Sequence, residues 1–257
     1  MKIFVCVKHV PDTAATIKLS SETTFEDSEC KFVVNPYDEF GLEEAVTLVE
    51  KNGGEVVLVT VGKAAAEATL RSAMAMGAAR AIHVKTDGQF LDSTLTSKAL
   101  KAAIEKDGMP DMIFTGKGSV DTEGFQTQYR LAAALGLPVV NEVSKLTLNG
   151  NTAVAEREIG GGEREVLEIS LPAVIGATKG LNEPRYPKFP DIMKAKKKPI
   201  AVIPIADLAI NESEGTNRLV KLESVPERSG AKMIQGSSVQ DQVTELVRIL
   251  KEEEKVL

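Results

Sequence analysis

The sequence contains few of the residues that most often carry catalysis or metal binding. It has no tryptophan, two cysteines and two histidines among 257 residues. Two cysteines cannot form a disulfide framework, and Cys6 falls within an apolar run where a buried thiol is the usual state. The histidines and cysteines show no metal-ligand spacing, and the nucleophile motif GxSxG is absent. The sequence therefore gives no support for hydrolytic or metal-dependent catalysis, and it predicts a protein of a reducing, cytoplasmic compartment.

Long apolar runs and an excess of positive charge are also lacking. No stretch reaches the about 18 apolar residues of a membrane-spanning helix, so we expect no direct membrane insertion. The formal net charge of -6 and the pI near 5.2 argue against a nucleic-acid surface. Lys8 and His9 interrupt the N-terminal apolar run where a signal peptide would continue, so this run predicts a first strand. The expected ligands are proteins or small molecules.

Strand and helix patterns alternate through the first half of the chain. Continuous apolar runs such as KIFVCV suit strands of a sheet that is covered on both faces. Helical periodicity is found in residues 35–54, 63–77, 93–108 and 125–136. The last of these helices is expected to bury Phe125, Tyr129, Ala132 and Ala133. The alternation predicts an α/β fold with a mostly parallel, doubly wound sheet, whose ligands bind beyond the carboxyl ends of the strands.

The loop of residues 116–127, GKGSVDTEGFQT, follows the apolar run MIFTG and precedes a helical pattern. A glycine-rich loop at a helix N-terminus presents unpaired backbone N–H groups and a positive dipole end, which together suit a phosphate. Neither the P-loop spacing nor the GxGxxG fingerprint is present. The loop is therefore either a phosphate cradle or an ordinary strand-to-helix connection with polar caps.

Three further loops leave predicted strand ends, at residues 8–12, 35–38 and 60–62. Asn35 either hydrogen-bonds a ligand or forms a turn or cap, while Pro36 fixes the entry of the chain into the next helix. The convergence of polar or glycine-bearing turns at several strand ends favours one shared nucleotide crevice.

The second half of the chain has a different character. Residues 145–178 read as consecutive strands with turns at Asn149-Gly150 and at Gly160 to Gly162, which predicts an antiparallel extension. Three prolines between residues 184 and 190 predict an extended surface loop without regular helix, followed by a lysine-rich stretch. We assign residues 1–205 to a nucleotide-binding α/β domain that includes this loop at 182–198, and residues 206–257 to an extended C-terminal arm. The arm ends in an amphipathic helix that begins after Ser238 and either folds back or docks on another subunit.

Several motifs, taken together and in order, resemble the beta (small) subunit of electron transfer flavoprotein. The resemblance covers nearly the whole chain and rests on VKHVPDT, NPYDEFGLEEAV, AMGA, the GK…D…Q loop, AEREIGGGEREVLEISLPAVIGAT, LNEPRY and IMKAKKK. The sequence departs from the family at Gly160, where relatives usually have an acidic residue before the glycine pair.

The resemblance implies an adenine nucleotide alpha hydrolase-like fold and a heterodimer with a larger alpha subunit that makes most of the contacts to one FAD. The heterodimer would accept electrons from primary dehydrogenases such as acyl-CoA dehydrogenase and pass them to a quinone oxidoreductase. The beta subunit would bind AMP in a structural role. The chain would thus be an electron carrier subunit rather than an enzyme, because the flavin carries the redox chemistry.

The same resemblance implies functional positions in this sequence. The AMP contacts would be Cys6, Asn35, Pro36, Tyr37, Asp38, Val61, Gly116, Lys117, Gly118, Ser119, Val120, Asp121, Thr122, Glu123, Gly124, Phe125, Gln126 and Thr127. The partner contacts would be Phe189 and Tyr186 in the proline-rich loop and Arg157 and Glu158 toward the alpha subunit, with Tyr186 and residues 8–13 facing the flavin edge. Phe189 could instead pack onto its own sheet, and the Arg157 and Glu158 charges need no function on a strand surface.

Two other functions fit parts of the pattern. Electron-bifurcating members of the family hold a second FAD in place of AMP and oxidise NADH. The motif VKHVPDT favours that type, whereas the ordinary carrier is favoured by DTEGFQ, NEPRY and IMKAKKK. A stand-alone adenine-nucleotide sensor would share the sheet but would leave the proline-rich loop and the terminal helix without a role.

Overall fold

A computed structural model of the chain describes residues 1–210, 212–226 and 230–257. The chain forms two compact units, Met1–Leu222 and Glu223–Leu257. This division falls after Leu222 rather than after residue 205, because Asp92 accepts hydrogen bonds from the N–H groups of Thr216 and Asn217 and holds this stretch on the first unit. A functional arm that begins at residue 206 stays a prediction.

The strands and helices of the first unit alternate as predicted over the first half. The strands are β1 (Lys2–Cys6), β2 (His9–Pro11), β3 (Phe32–Val34), β4 (Glu55–Gly62), β5 (Arg80–Lys85), β6 (Met112–Gly116), β7 (Val139–Asn149), β8 (Thr152–Gly160), β9 (Glu163–Ser170), β10 (Val174–Ala177) and β11 (Ile200–Pro204). The helices are α1 (Pro36–Asn52), α2 (Ala66–Ala75), α3 (Ser93–Asp107), α4 (Thr127–Leu135) and α5 (Phe189–Ala195).

The described residues form one nine-stranded sheet in the order β11-β5-β4-β1-β6-β10-β7-β8-β9. The seven strands from β11 to β7 are paired in parallel, and β8 and β9 continue the sheet in antiparallel pairing. The core around α1 and α2 covers one face, and the core around α3 and α4 covers the other. The structure therefore confirms a doubly wound, mostly parallel α/β fold with an antiparallel extension.

The sequence pattern explains how the helices begin and end. Pro36 occupies the first turn of α1, where its fixed φ suits a helix and its missing N–H is not needed. The helix ends at Gly53, whose φ of 76° is easily reached only without a Cβ. α3 begins after Asp92, whose carboxylate accepts a hydrogen bond of 2.8 Å from the N–H of Leu95.

The predicted buried face of α4 was correct only at Ala132. Leu131 and Ala132 are buried, whereas Phe125, Tyr129 and Ala133 are exposed. Phe125 has a φ of 48°, so it lies in the left-handed region and outside the helix, which begins two residues later. The spacing counted from Phe125 therefore assigned the wrong face to the core.

Two predictions for the second half also need correction. β10 was expected in the antiparallel extension, but it pairs in parallel with β6 and β7 inside the main sheet. The proline-rich loop was expected to exclude helix, yet α5 forms from Phe189. Pro190 lies in the first turn of α5, where proline is tolerated because that N–H makes no intrahelical bond.

The second unit, taken by itself, contains α6 (Val239–Arg248) and a π-helical turn at Ile249–Glu253. Ser238 caps α6 as predicted, since its hydroxyl accepts a hydrogen bond from the N–H of Asp241. The predicted apolar stripe of α6 is largely exposed at Val239, Val243, Leu246 and Val247. Among the described residues, no helix has the length and apolar character needed to cross a membrane.

A charged network lies at the amino ends of the strands. Arg80, at the start of β5, donates to Glu55 at 3.0 Å and to both carboxyl oxygens of Asp107 at 2.8 and 2.7 Å. Lys2 forms a further ion pair with Asp107 at 2.7 Å. The hydrogen bonds from Arg80 are the main reason that the pKa of Asp107 is lowered from 3.8 to about 2.

We expect Asp107→Asn to lower the free energy of unfolding by about 1–3 kcal/mol at neutral pH, because the amide breaks charge-assisted hydrogen bonds. The folded-state pKa lies below the unfolded value, so the stabilisation is present above about pH 4 and is lost as the pH falls toward about 2. Urea unfolding of both proteins at pH 6 and near pH 2 should show the difference shrinking at acid pH. A difference that is constant with pH would contradict this account.

Candidate functional site

The candidate site lies where the sheet reverses its order. β1 and β6 are neighbours; the order continues through β4, β5 and β11 on one side and through β10 and β7 on the other. α1 follows β1 on one face, and α4 follows β6 on the opposite face. A crevice therefore opens beyond the carboxyl ends of β1 and β6, where doubly wound proteins bind their ligands.

Asp38, in the first turn of α1, joins the two central strand ends. Its carboxylate accepts hydrogen bonds from the N–H of Lys8 at 2.7 Å, from the N–H of Gly116 at 2.9 Å and from the amide of Asn35 at 2.9 Å. Burial raises the pKa of Asp38 to about 7, and these three donors oppose the rise. The loop after β1, the end of β6 and the start of α1 are thus held by one carboxyl group.

Asn35 is buried and all its side-chain contacts are within the protein. Its Nδ2 donates to Asp38 and to the carbonyl of Gly118, both at 2.9 Å, and its Oδ1 accepts from the N–H of Val120 at 3.2 Å. The side chain makes no cap hydrogen bond to α1. Asn35 occupies the N-cap position of α1, and its carbonyl accepts a hydrogen bond of 2.9 Å from the N–H of Asp38, so the predicted turn is present. Its side chain fixes the glycine-rich loop, and a contact of Asn35 with a ligand stays a prediction.

The glycines of this loop permit close packing of its backbone. A Cβ at Gly116 would lie 2.6 Å from the Cβ of Tyr37 and 2.5 Å from a carboxyl oxygen of Asp38. A Cβ at Gly118 would lie 2.6 Å from the ring of Phe125. Both positions therefore require glycine for contacts within the crevice wall.

The rest of the loop presents polar groups at the mouth of the crevice. Lys8 Nζ contacts Ser119 Oγ at 3.1 Å, Asp121 at 2.8 Å and Thr122 Oγ1 at 3.3 Å, so the first strand end is joined to the loop across the opening. The exposed residues Gly124, Phe125 and Gln126 precede α4, and their N–H groups make no hydrogen bond within the described residues. These donors, with the positive end of α4, can receive an anionic group.

Lys117 is directed away from these donors. Its N–H donates to the carbonyl of Ala177 at 2.8 Å, and its ammonium group lies 3.6 Å from Glu142 and 5.2 Å from the ring centre of Tyr37. Its carbonyl accepts from Gln128 at 2.8 Å and from Asn141 at 3.1 Å. The sequence did not single out Gln128, Asn141 or Glu142. Asn141 and Glu142 lie on β7, which reaches this region through β10, and the position of β10 beside β6 was not predicted.

Cys6 and Val61 line the bottom and side of the same region. Cys6 ends β1 and is buried, and burial, followed by the charge of Asp38, raises the pKa of its thiol. Val61 lies at the end of β4 and is half-buried. Thr115, at the end of β6, has a buried hydroxyl that makes no hydrogen bond within the described residues.

The predicted partner residues lie outside the crevice. Tyr186 is 96% exposed and Phe189 is 74% exposed, so the Phe189 ring does not pack onto its own sheet. Arg157 on β8 pairs with Glu165 on β9 at 2.6 Å, and Glu158 lies 3.8 Å from Arg164. These charges therefore form cross-strand pairs in the antiparallel extension.

Two surface concavities lie elsewhere. One, of about 400 Å³, lies within the second unit around Ile234 and Glu245, and the other, of about 320 Å³, lies beside β11 around Ile82 and Ala201. Neither includes the loops that meet at the end of β1 and β6.

The fold and the crevice define a doubly wound α/β protein with its polar loops gathered at the topological switch point. The family model described as "Electron transfer flavoprotein domain" matches residues 23–208. The chain is 38% identical to electron transfer flavoprotein subunit beta of Bacillus subtilis and to the mitochondrial subunit beta of Arabidopsis thaliana, in each case over 100% of both chains. It is 36% identical to the human subunit beta over 97% of this chain and 98% of the human one.

The chain therefore belongs to the electron transfer flavoprotein family. The relatives extend over its whole length, and they are beta subunits by name. The protein is thus an electron transfer flavoprotein subunit, a component of an electron carrier.

We expect Gly116→Ala to destabilise the protein more than Gly118→Ala. At Gly116 the new Cβ meets the Tyr37 backbone at 2.8 Å, which cannot move without shifting α1, whereas at Gly118 it meets only the partly exposed ring of Phe125. A cost of about 1–3 kcal/mol is expected for Gly116→Ala and less for Gly118→Ala. Thermal unfolding followed by circular dichroism measures both; equal costs, or the reverse order, would contradict the packing described.

Proposed function

We propose that the chain is the beta subunit of a heterodimeric electron transfer flavoprotein that pairs with an alpha subunit and shares one FAD with it. The heterodimer accepts electrons from primary dehydrogenases such as acyl-CoA dehydrogenase and passes them to a quinone oxidoreductase. The observation that carries this proposal is the full-length likeness to beta subunits, because it includes the crevice loops, the proline-rich loop and the C-terminal segment together.

The crevice of this subunit is proposed to bind AMP. The N–H groups before α4, the hydroxyls of Ser119 and Thr122 and the ammonium group of Lys8 are suited to a phosphate. Asn35 and Asp38 fix the backbone that presents these groups. The residues present therefore fit an adenine mononucleotide. The proposed contacts remain those named from the sequence, with Asn35 and Asp38 acting through the loop rather than on the nucleotide.

FAD supplies the redox chemistry of such a carrier, while the protein supplies binding, orientation and electrostatics. This chain offers Tyr186 and residues 8–13 as the side facing the flavin edge. Arg157 and Glu158 are proposed to face the alpha subunit from the antiparallel extension. The arm from residue 206 is proposed to dock on that subunit through α6, whose apolar side chains Val243, Leu246 and Val247 are largely exposed.

The docking of the dehydrogenase is proposed to use Phe189, with Tyr186 beside it. An exposed aromatic side chain in a proline-rich segment suits a recognition site, because little conformational entropy is lost on binding. The lysine-rich stretch that follows would complement an acidic partner surface.

Co-expression with the alpha subunit, followed by a count of released flavin and nucleotide, tests the proposal. A 1:1 complex with about one FAD and one AMP is expected. Two flavins per heterodimer and oxidation of NADH would identify the bifurcating type instead, although the Phe125 ring, packed against Gly118 at the crevice mouth, favours the smaller nucleotide. A stable monomer that binds ATP without a flavin-bearing partner would contradict both.

A further inference from the structure

The segment of residues 182–198, which we call the docking segment, is tied to the body of the first unit at both ends. At its start, the amide of Asn182 donates to the carbonyl of Phe40 and to Glu44 of α1, both at 3.0 Å. At its end, Arg71 of α2 donates to the carbonyls of Ala195 at 3.1 Å and Lys198 at 2.5 Å. The segment is therefore held between two helices of the same face.

Arg185 makes the most extensive of these contacts. Its guanidinium group donates to both carboxyl oxygens of Glu43, at 2.8 and 3.0 Å, and to both of Glu50, at 2.6 and 3.0 Å. Its own N–H donates to Glu43 at 3.0 Å. Only 10% of the Glu43 side chain is exposed. The planar fork of arginine suits two bidentate carboxylates, and lysine cannot reproduce this geometry.

The residues next to Arg185 point the opposite way. Tyr186 follows it directly and is almost fully exposed, and Phe189, Ile192 and Met193 continue an exposed apolar surface along α5. Pro187 and Pro190 restrict the backbone between Arg185 and α5. The orientation of this surface relative to the body is consequently set by the contacts at Asn182, Arg185 and the end of α5.

We propose that Arg185 is a positioning residue that holds the docking segment on α1 in the orientation competent for the electron-donating partner. Arg185 does not itself touch the partner in this proposal; it acts by fixing Tyr186 and Phe189. The inference rests on the proposed function, since it assumes that the apolar surface receives a dehydrogenase. Loss of the bidentate hydrogen bonds of Arg185 leaves the fold and the flavin site in place. It lowers the fraction of encounters with the dehydrogenase that lead to electron transfer.

The first arm of the test needs no dehydrogenase. Amide hydrogen exchange is followed by mass spectrometry on the heterodimer that carries Arg185→Lys, Glu50→Gln or, as a matched control, Glu105→Gln. Glu105 is also an exposed glutamate with an ion-pair partner, Lys101 at 3.7 Å, but it lies on α3, away from the docking segment. The N–H groups of Arg185, Asp191 and Ile192 donate hydrogen bonds in this part of the segment. Exchange at these amides, in peptides covering residues 183–192, should accelerate roughly tenfold in Arg185→Lys, and less in Glu50→Gln, because charge-assisted hydrogen bonds are lost. The Glu105→Gln control should match the wild type.

The second arm measures electron transfer from an acyl-CoA dehydrogenase that reduces the wild-type complex. Arg185→Lys should raise the half-saturating concentration of the complex roughly five- to tenfold, with unchanged kcat and flavin content. Phe189→Ala serves as the reference for the docking surface. Met109→Ala, at an exposed apolar residue before β6, serves as the control for loss of surface area.

The outcomes distinguish the positioning role of Arg185 from the docking function of the apolar surface. If Phe189→Ala raises the half-saturating concentration while Arg185→Lys leaves either arm at its wild-type value, the positioning role is overturned and the docking surface stands. If Phe189→Ala has no effect, the docking function itself is wrong and the inference fails with it. Accelerated exchange together with a selective rise in the half-saturating concentration supports the positioning role.

Discussion

The rest of the site depends on the hydrogen bonds that the carboxyl group of Asp38 accepts. This group is buried, it lies in the first turn of α1, and it accepts hydrogen bonds from both central strand ends and from Asn35. A buried carboxyl group is costly unless such donors satisfy it. Its position therefore specifies how the loops after β1 and β6 meet, and with them the shape of the crevice.

Helix α1 extends this constraint beyond the crevice. Its amino end carries Asn35 and Asp38, and its middle and carboxyl-terminal parts carry Glu43 and Glu50, which hold Arg185 and the docking segment. Helix α1 thus positions both the loops of the crevice and the docking segment. In an electron carrier, the contribution of the protein is to place such surfaces relative to the cofactor.

Local sequence patterns were sufficient for much of the fold. The apolar runs of β1, β4 and β6 and the helix boundaries at Pro36 and Gly53 follow from burial and backbone preference, which act over a few residues. The face of α4 was missed because Phe125 has a left-handed conformation that helical spacing does not reveal. The placement of β10 was missed because a short apolar strand pairs equally well in either sheet direction, and only long-range packing selects one.

The same reasoning located the candidate site, but it did not predict the roles of the residues in that site. The strand-end argument selected the loops that contain Asn35, Asp38 and Gly116, and these do meet in the structure. The sequence could not show that the Asn35 side chain bonds the backbone of Gly118 and Val120, since these partners lie 83 and 85 residues away in the chain. Arg185 gave no local signal for the same reason, because Glu43 and Glu50 precede it by more than a hundred residues.

The most direct test of the central claim is calorimetric titration of AMP into nucleotide-depleted heterodimer that carries Asn35→Ala, with Asn52→Ala as the control. Asn52 is the last residue of α1, and its side chain donates to the carbonyl of Leu48, at the opposite end of the helix from the crevice. The account predicts AMP binding at least roughly tenfold weaker in Asn35→Ala, with FAD content and subunit pairing retained, and unchanged binding in Asn52→Ala. Unchanged AMP affinity in Asn35→Ala would show that AMP binding does not depend on the contacts of Asn35 with Asp38 and the glycine-rich loop.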